Sequence, residues 1–374
     1  MKKPMSVPVN EPVITKEAKE YVSEAMESGW ISSAGKYIGL FEERFAKYLG
    51  VKHAVTTTSG TTAIHLALVS LGIGPGDEVI VPDFTMMGSV LPIIYCGATP
   101  IFVDAVRDTF NIDPDLIEAK ITKKTKAIMP VHLYGISADM DKILAIAKKH
   151  RIPVVEDAAE AHGATYKGRL CGSMAEVGCF SFYANKIITT GEGGMVVTND
   201  DALAKRLRLL KDLAHSENKR FWHEEIGFNY RMTNLQAAIG LGQLEHIEEF
   251  IEKKQWMDQE YRKQLGDIPG LRLPITKPNT TNVFWMYGVL VEDDFPLTKD
   301  ELRAALKERG VDTRDFFYSS ATQPVFQHLP SAKESFPVSK MLSERGFYLP
   351  SGLALTQEQI DYVCATLRDV ASNP

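Results

Sequence analysis

The most specific chemical feature of the sequence is a lysine between a β-rich run and a glycine-rich turn. Lys186 follows Ser181 in the segment SFYANKIITTGEGG. We expect its side chain to be semi-buried, because apolar residues and glycines flank it. Desolvation of the ammonium then lowers its pKa, and the neutral amine becomes available as a nucleophile and a base. Taken alone, the pattern also fits an ordinary surface lysine.

Two other segments carry groups that would complement such a lysine. Ser59-Gly60-Thr61 lies between a predicted strand and a predicted helix, where backbone N–H groups and the helix dipole can bind an anion, although a serine there is more often only an N-cap. Asp157 ends the apolar run IPVVE, and a buried carboxylate needs a positively charged partner. Small residues follow it and leave room for a flat ring, with Glu160 able to reach a hydroxyl on the edge of that ring.

The three segments together predict one chemistry. An anion-binding turn, a carboxylate and a buried lysine, in this chain order, are what pyridoxal 5′-phosphate (PLP) needs. They would supply a phosphate clamp, an acid partner for the pyridine nitrogen and an amine for the aldehyde. The sequence contains neither a Walker A motif nor G-x-G-x-x-G, which argues against a nucleotide-binding loop.

These segments need a sheet to position them. Residues 50–200 alternate β-rich runs with helical stretches, a pattern typical of a largely parallel sheet covered by helices on both faces. Ligand sites in such sheets lie at the carboxyl ends of the strands, where Asp157 falls. The predicted strands are 53–57, 77–82, 99–104, 125–131, 152–157, 177–182 and 194–198.

The sequence of the C-terminal third predicts a second, smaller domain. A helical pattern runs from Asn234 to about Leu265, which is longer than an ordinary covering helix, so we predict a connector. The elements predicted after it are a strand over 284–291 and helices over 297–310 and near 356–370. They are enough for a small α+β domain. The predicted domains are therefore a large one, 1–245, and a unit of connector and small domain, 246–374.

Composition and charge exclude several classes of function. Lys and Arg number 42 and Asp and Glu 48, so the net charge of −6 provides no bulk positive field for nucleic acid or an acidic membrane. The apolar runs are shorter than the ~20 residues that span a bilayer, and the N-terminus lacks the apolar core of a signal peptide. We expect a cytoplasmic protein. Four cysteines without a CxxC pair and nine histidines without HxxxH or HExxH predict no metal site.

Four segments resemble the signature segments of the nucleotide-sugar aminotransferases, the DegT/DnrJ/EryC1/StrS family. They are SGTTAIHLAL, EDAAEAHGA, FSFYANKIITTGEGGM and GFNYRMTNLQAAIG, and the resemblance extends from about residue 28 to the final helix. It implies PLP fold type I, like aspartate aminotransferase, with a large domain built on a mainly parallel mixed sheet and a small α+β C-terminal domain. It also implies a homodimer with shared active sites.

The resemblance implies a role for each residue that matches the family motifs. Lys186 would bind the cofactor covalently, Asp157 would face the pyridinium nitrogen, and Glu160 would lie near the ring hydroxyl. The implied phosphate contacts are Gly60, Thr61, Ser181 and Asn229 of the partner subunit. These assignments predict that one cavity collects residues from three separate motifs.

The sequence departs from the family pattern in two places. Met86 stands where an aromatic residue usually stacks on the cofactor ring, and its thioether can still pack there. The segment FFYSSATQPVF, 316–326, differs from the histidine-containing form expected of the branch of the family that makes perosamine.

The predicted substrate contacts are Trp30, Ser32, Ser33, Arg231 and Arg314. The two arginines are candidates for a diphosphate or a donor carboxylate, because a guanidinium binds either in a bidentate fork.

The resemblance implies transfer of an amino group from glutamate to a 4-keto-6-deoxy nucleotide sugar. PVHLYG followed by DMD, EDAAEAHGATYKG and NKIITTGEGGM are most similar to the branch that converts GDP-4-keto-6-deoxymannose to GDP-perosamine, in O-antigen and lipopolysaccharide biosynthesis. One alternative is a UDP- or dTDP-linked keto sugar aminated at C3 or C4. Another is a non-catalytic regulator or sensor that keeps the fold, against which the intact Lys186 and Asp157 argue.

Overall fold

Helices and strands alternate along the computed structural model, which describes residues 5–216, 218–219 and 221–373. The helices are α1 (Lys16–Ser28), α2 (Lys36–Leu49), α3 (Gly60–Ser70), α4 (Met87–Tyr95), α5 (Pro114–Ile117), α6 (Met140–His150), α7 (Asp201–Lys211), α8 (Asn234–Leu244), α9 (Ile247–Leu265), α10 (Lys299–Glu308), α11 (Pro337–Arg345) and α12 (Gln357–Ser372). The strands are β1 (His53–Thr57), β2 (Glu78–Pro82), β3 (Thr99–Val103), β4 (Thr125–Ile128), β5 (Val155–Asp157), β6 (Thr165–Tyr166), β7 (Arg169–Leu170), β8 (Val177–Ser181), β9 (Gly194–Thr198), β10 (Leu271–Arg272), β11 (Thr280–Thr281), β12 (Tyr287–Val291), β13 (Arg314–Asp315) and β14 (Gly346–Leu349).

The N-terminal sheet is mixed and mainly parallel, as the sequence predicts. Strands β3-β2-β4 pair in parallel, and single parallel bridges from Ile128 to Val154 and from Val131 to Asp157 join them to β5. The sheet continues as β5-β8-β9-β1, in which only β9 runs antiparallel to its neighbours. Every residue of β9 is buried, because helices cover both faces of the sheet. All seven predicted strands are present, although β4 and β5 are each three residues shorter than predicted.

The C-terminal residues form a second sheet with a core of its own. Strands β10-β12-β14-β13 pair antiparallel, and α9, α10 and α12 pack on them. Val7 belongs to this core and forms a parallel bridge with Val311, so the N-terminal segment crosses to the C-terminal sheet. The division into domains at 245/246 stays a prediction. Among the described helices, none combines the length and the apolar composition that crossing a membrane requires.

The connector is two helices rather than one. Thr15 Oγ1 donates a hydrogen bond of 3.0 Å to Gly242 O, the carbonyl that would accept the His246 N–H in a continuous helix. His246 N donates instead to Gln243 O, and the helix ends there. Gly242 also lies so close to α1 that a Cβ atom would come within 2.3 Å of Ala18 N. The prediction of a single helix is wrong because side chains and backbone distant in the chain interrupt it.

Candidate active site

A cavity of about 360 Å³ lies at the carboxyl edge of the N-terminal sheet. Its wall combines residues of the three chemical motifs with residues from the C-terminal half. The cofactor-site residues predicted from the sequence that line it are Gly60, Thr61, Met86, Asp157, Glu160, Ser181 and Lys186. The structure therefore brings together the turn, the carboxylates and the lysine that the sequence keeps up to 126 residues apart.

Lys186 lies between a carboxylate and an aromatic ring. Its side chain is 9% exposed, with Nζ 3.9 Å from Glu160 Oε1 and 3.5 Å from the centroid of the Trp285 ring. Burial lowers the pKa of Lys186, while the charges of Glu160 and Asp157 oppose that change. The amine is thus shielded from water and held by two groups that stabilise its charged form.

Asp157 is a buried carboxylate at the end of β5. Its Oδ2 accepts a 2.6 Å hydrogen bond from Ser89 Oγ, and its Oδ1 accepts one of 3.0 Å from Ala159 N. Burial raises the pKa of Asp157, and the Ser89 hydrogen bond lowers it. Among the described residues, no basic side chain lies within 4 Å of this carboxylate. The charge of Lys186 acts on Asp157 only from a longer distance, so a positively charged group in the cavity could pair with this carboxylate directly.

Glu160 is oriented by a strained backbone segment. Its Oε2 accepts a 2.8 Å hydrogen bond from the backbone N of Tyr134, which has a left-handed φ of 53°. Such a conformation is unfavourable for a tyrosine and persists where the surroundings hold it. Burial raises the pKa of Glu160, and the neighbouring Lys186 lowers it. Glu160 is thus fixed toward the lysine rather than free to rotate.

The start of α3 forms the anion-binding end of the cavity. Ser59 and Thr62 form a capping box, in which Ser59 Oγ accepts from Thr62 N at 3.1 Å. Gly60 lets the helix start approach β8, because a Cβ atom here would lie 2.7 Å from the Ser181 Cβ. The serine is therefore an N-cap, and the remaining N–H groups of the first turn are available for a phosphate.

Sequence reasoning missed the aromatic side of the cavity. We call Trp285, Phe317 and Tyr348 the aromatic wall, since all three line the cavity. Tyr134 packs behind them, with its ring centroid 6.3 Å from Trp285, 5.4 Å from Phe317 and 5.8 Å from Tyr348. Ser89 was also missed. Its only signal was a hydroxyl near the start of α4, and the wall residues resemble ordinary core residues in the sequence.

The remaining predicted residues lie away from this cavity within one chain. Trp30, 62% exposed, lines a separate cavity with Tyr37 and Asn234. Arg231 donates to Asn229 Oδ1 at 2.9 Å and to Asp212 at 2.8 Å. The residues outside the cavity are Trp30, Ser32, Ser33, Asn229 and Arg231. Their predicted roles stay predictions.

Arg314 lies beside the active-site cavity rather than in it. It lines an adjoining cavity of about 590 Å³, which shares Met86 and Phe317 with the first. The neighbouring Arg303 is paired with Asp315, whereas Arg314 has no carboxylate within 4 Å among the described residues. Arg314 is therefore available to an anion that extends from one cavity into the next.

The fold and the cavity together define a PLP-dependent enzyme of fold type I. A model of the DegT/DnrJ/EryC1/StrS aminotransferase family matches residues 12–368, and the chain belongs to that family. It is 46% identical to the GDP-perosamine synthase of Caulobacter vibrioides over 97% of this chain and 98% of that protein. It is 43% identical to the GDP-perosamine synthase of Escherichia coli O157:H7, over 98% and 99%.

Solved structures agree with this assignment. DesV of Streptomyces venezuelae matches with a TM-score of 0.89 and 36% identity, over 96% of this chain and 99% of that chain. A Streptococcus pneumoniae protein in its PLP form matches with a TM-score of 0.93 and 28% identity, over 99% of both chains. The predicted family, fold and cofactor are confirmed, and the protein is an aminotransferase that uses PLP.

Proposed function

We propose that this aminotransferase moves an amino group from glutamate to C4 of GDP-4-keto-6-deoxymannose, forming GDP-perosamine, in the cytoplasm. The similarity to two GDP-perosamine synthases over nearly the whole chain supports the substrate. The observation that carries the reaction class is the position of Lys186, buried between Glu160 and Trp285 in a cavity that also contains Asp157.

The cavity fits the cofactor at both ends. The Gly60–Ser181 approach leaves a cradle that a Cβ atom would fill, and the start of α3 offers N–H donors to the phosphate there. Asp157 would hold a proton on the pyridine nitrogen, and Glu160 would accept from the ring hydroxyl. When bound, PLP supplies an electron sink for the carbanion that amino transfer creates.

Lys186 would carry the proton between donor and product. Burial lowers the pKa of its amine, which favours the neutral form that can accept a proton from the donor carbon. Glu160 and Trp285 limit where Nζ can move. The aromatic wall excludes water from that position, which strengthens the electrostatic contacts inside the cavity.

The nucleotide would extend into the cavity that contains Arg314. This cavity adjoins the first through Met86 and Phe317, so a sugar at Lys186 can continue into a diphosphate beside the Arg314 guanidinium. A planar guanidinium binds diphosphate oxygens in a bidentate fork. We therefore favour Arg314 over Arg231 for the diphosphate, because Arg231 is paired with Asp212.

A second copy of the chain would complete the site. Asn229 is exposed on the segment before α8, away from the cavity of its own chain, and would reach the partner's phosphate. Mixing inactive Lys186→Ala and Asn229→Ala subunits should restore turnover, because one heterodimer site is then intact. Heterodimers that form and stay inactive would count against a shared site.

A substrate panel tests the proposed reaction. The enzyme is assayed with glutamate and with GDP-, UDP- and dTDP-linked 4-keto-6-deoxy sugars in turn. We expect kcat/KM for the GDP sugar to exceed the others by more than about tenfold, or ~1.4 kcal/mol in transition-state binding. A preference of that size for a UDP or dTDP sugar would overturn the GDP assignment and leave the aminotransferase class intact.

A further inference from the structure

A second buried lysine lies behind the active site. Lys254, on α9, is 2% exposed, and its Nζ donates to Trp285 O at 3.0 Å and to Ser351 O. Burial lowers its pKa to about 7, and among the described residues no carboxylate lies within 4 Å of the amine. A buried amine paired only with carbonyl groups is costly, which calls for a reason that packing alone does not give.

The two carbonyl groups belong to two of the three segments that supply the aromatic wall. Trp285 is itself a wall residue, and Ser351 follows the wall residue Tyr348 by three positions along the chain. One amine therefore links the backbone of both segments. Tyr261 Oη adds a parallel contact at 2.7 Å to Pro350 O, the residue before Ser351.

Trp285 connects this amine to the reactive lysine. Its backbone carbonyl is held by Lys254, and its Nε1 donates at 2.8 Å to the carbonyl of Asn185, the residue before Lys186. The ring between these two anchors lies 3.5 Å from Lys186 Nζ. Phe284, next to it, has a left-handed φ of 46°, so this segment does not rest in a relaxed conformation.

We propose that Lys254 is a positioning residue that holds the Trp285 ring against Lys186. Lys254 does not itself line the cavity, and it acts on the site through the carbonyl of Trp285. Without it, the strained segment relaxes, the ring leaves Lys186 Nζ, and the amine loses the orientation that its bond to the cofactor needs. The phosphate end of the cavity, on α3 and β8, is unaffected.

Cofactor capture tests this role without any sugar substrate, so its result is independent of the proposed reaction. Apoenzyme is mixed with PLP, and the rate of bond formation at Lys186 is followed by absorbance. Pyridoxamine phosphate, which cannot bond to a lysine, is titrated separately. For Lys254→Met we expect capture to slow by about tenfold, with the affinity for pyridoxamine phosphate within about twofold of the wild type.

Two further variants keep the test specific. Lys253→Met is the matched control, since Lys253 is the adjacent residue on α9 and lies over a different indole, Trp256, at 3.7 Å. It should leave capture unchanged. Trp285→Ala should slow capture as much as Lys254→Met does, and the double variant should be no slower than Trp285→Ala alone. Should Lys254→Met fail to fold, Lys254→Gln is measured in the same way, since its shorter side chain keeps an uncharged NH2 donor. Its capture rate should fall between those of the wild type and Trp285→Ala.

Three results would overturn the proposal. One is a wild-type capture rate in Lys254→Met, or in Lys254→Gln where only that variant folds. Another is an equal loss of capture and of pyridoxamine phosphate affinity, which indicates general loosening. The third is a double variant whose two effects multiply, since the lysine would then act independently of Trp285.

Discussion

The two sides of the active-site cavity are built in opposite ways. We call the polar side the floor; it consists of Thr61, Asp157, Glu160 and Ser181. The floor lies on the N-terminal sheet, the turn after β5 and the first turn of α3, and its two carboxylates accept hydrogen bonds of 2.6–3.0 Å. The aromatic wall comes from three separate segments of the C-terminal half and is held by ring contacts and by backbone carbonyls. Each reactive group thus stands in a short sequence motif of the N-terminal sheet, whereas the surfaces that desolvate and orient these groups come from C-terminal segments that carry no such motif.

Lys186 stands between floor and wall, and its loss should have the largest effect. Lys186→Ala should lower turnover by at least about a thousandfold, because among the described residues that line the cavity no other lysine can form the covalent bond or carry the proton. The floor remains, so the variant should still hold pyridoxamine phosphate. Borohydride reduction of the wild-type holoenzyme, followed by peptide mass mapping, should place the label on Lys186. A label on another lysine would contradict the assignment.

The same contrast explains what the sequence could predict. Lys186 and Asp157 could be predicted from the sequence because each is a charged residue that stands out against apolar or glycine neighbours. Trp285 could not be predicted, since an indole in the run FWMYGVLV fits the pattern of any core strand. The break between α8 and α9 was hidden for a related reason, because it depends on Thr15, 227 residues away from Gly242. Contacts between distant segments leave no local signal.

Asp157→Asn tests the charge of the floor alone. The amide keeps the shape, because its oxygen can accept from Ala159 N and its NH2 can donate to Ser89 Oγ, but the negative charge is gone. We expect turnover to fall by about a hundredfold, a typical loss for one preorganised electrostatic group. The matched control is Asp83→Asn, because Asp83 is equally buried just after β2 and its Oδ1 accepts from Ala321 N away from the cavity. Equal losses in the two variants would show that burial, not the site charge, is responsible.

Glu160→Gln tests how strongly the floor carboxylate stabilises the charged form of the Lys186 amine. The carboxylate raises the pKa of Lys186, so its removal should lower that pKa and leave more neutral amine at a given pH. We expect Lys186 in the apoenzyme to be acetylated up to about tenfold faster near neutral pH, equivalent to about one pKa unit. The pH dependence of labelling, read by mass spectrometry of the Lys186 peptide, measures the shift. Slower labelling in Glu160→Gln would refute the direction.

The smallest predicted effect comes from Met86→Phe, which adds an aromatic ring beside the floor. Met86 is half exposed in the cavity, and its Sδ accepts a weak hydrogen bond from Gly88 N at 2.8 Å at the start of α4. Met86→Phe loses that contact but gains ring stacking, worth about 0.5–1.5 kcal/mol. The gain exceeds a weak sulfur cap, so pyridoxamine phosphate should dissociate about two- to fivefold more slowly, measured with an apoenzyme trap. Met87→Phe, in the adjoining cavity only, is the control and should leave dissociation unchanged. Faster release from Met86→Phe would mean that the thioether cap contributes more than an aromatic face at this position, and that stacking in this cavity belongs to the wall alone.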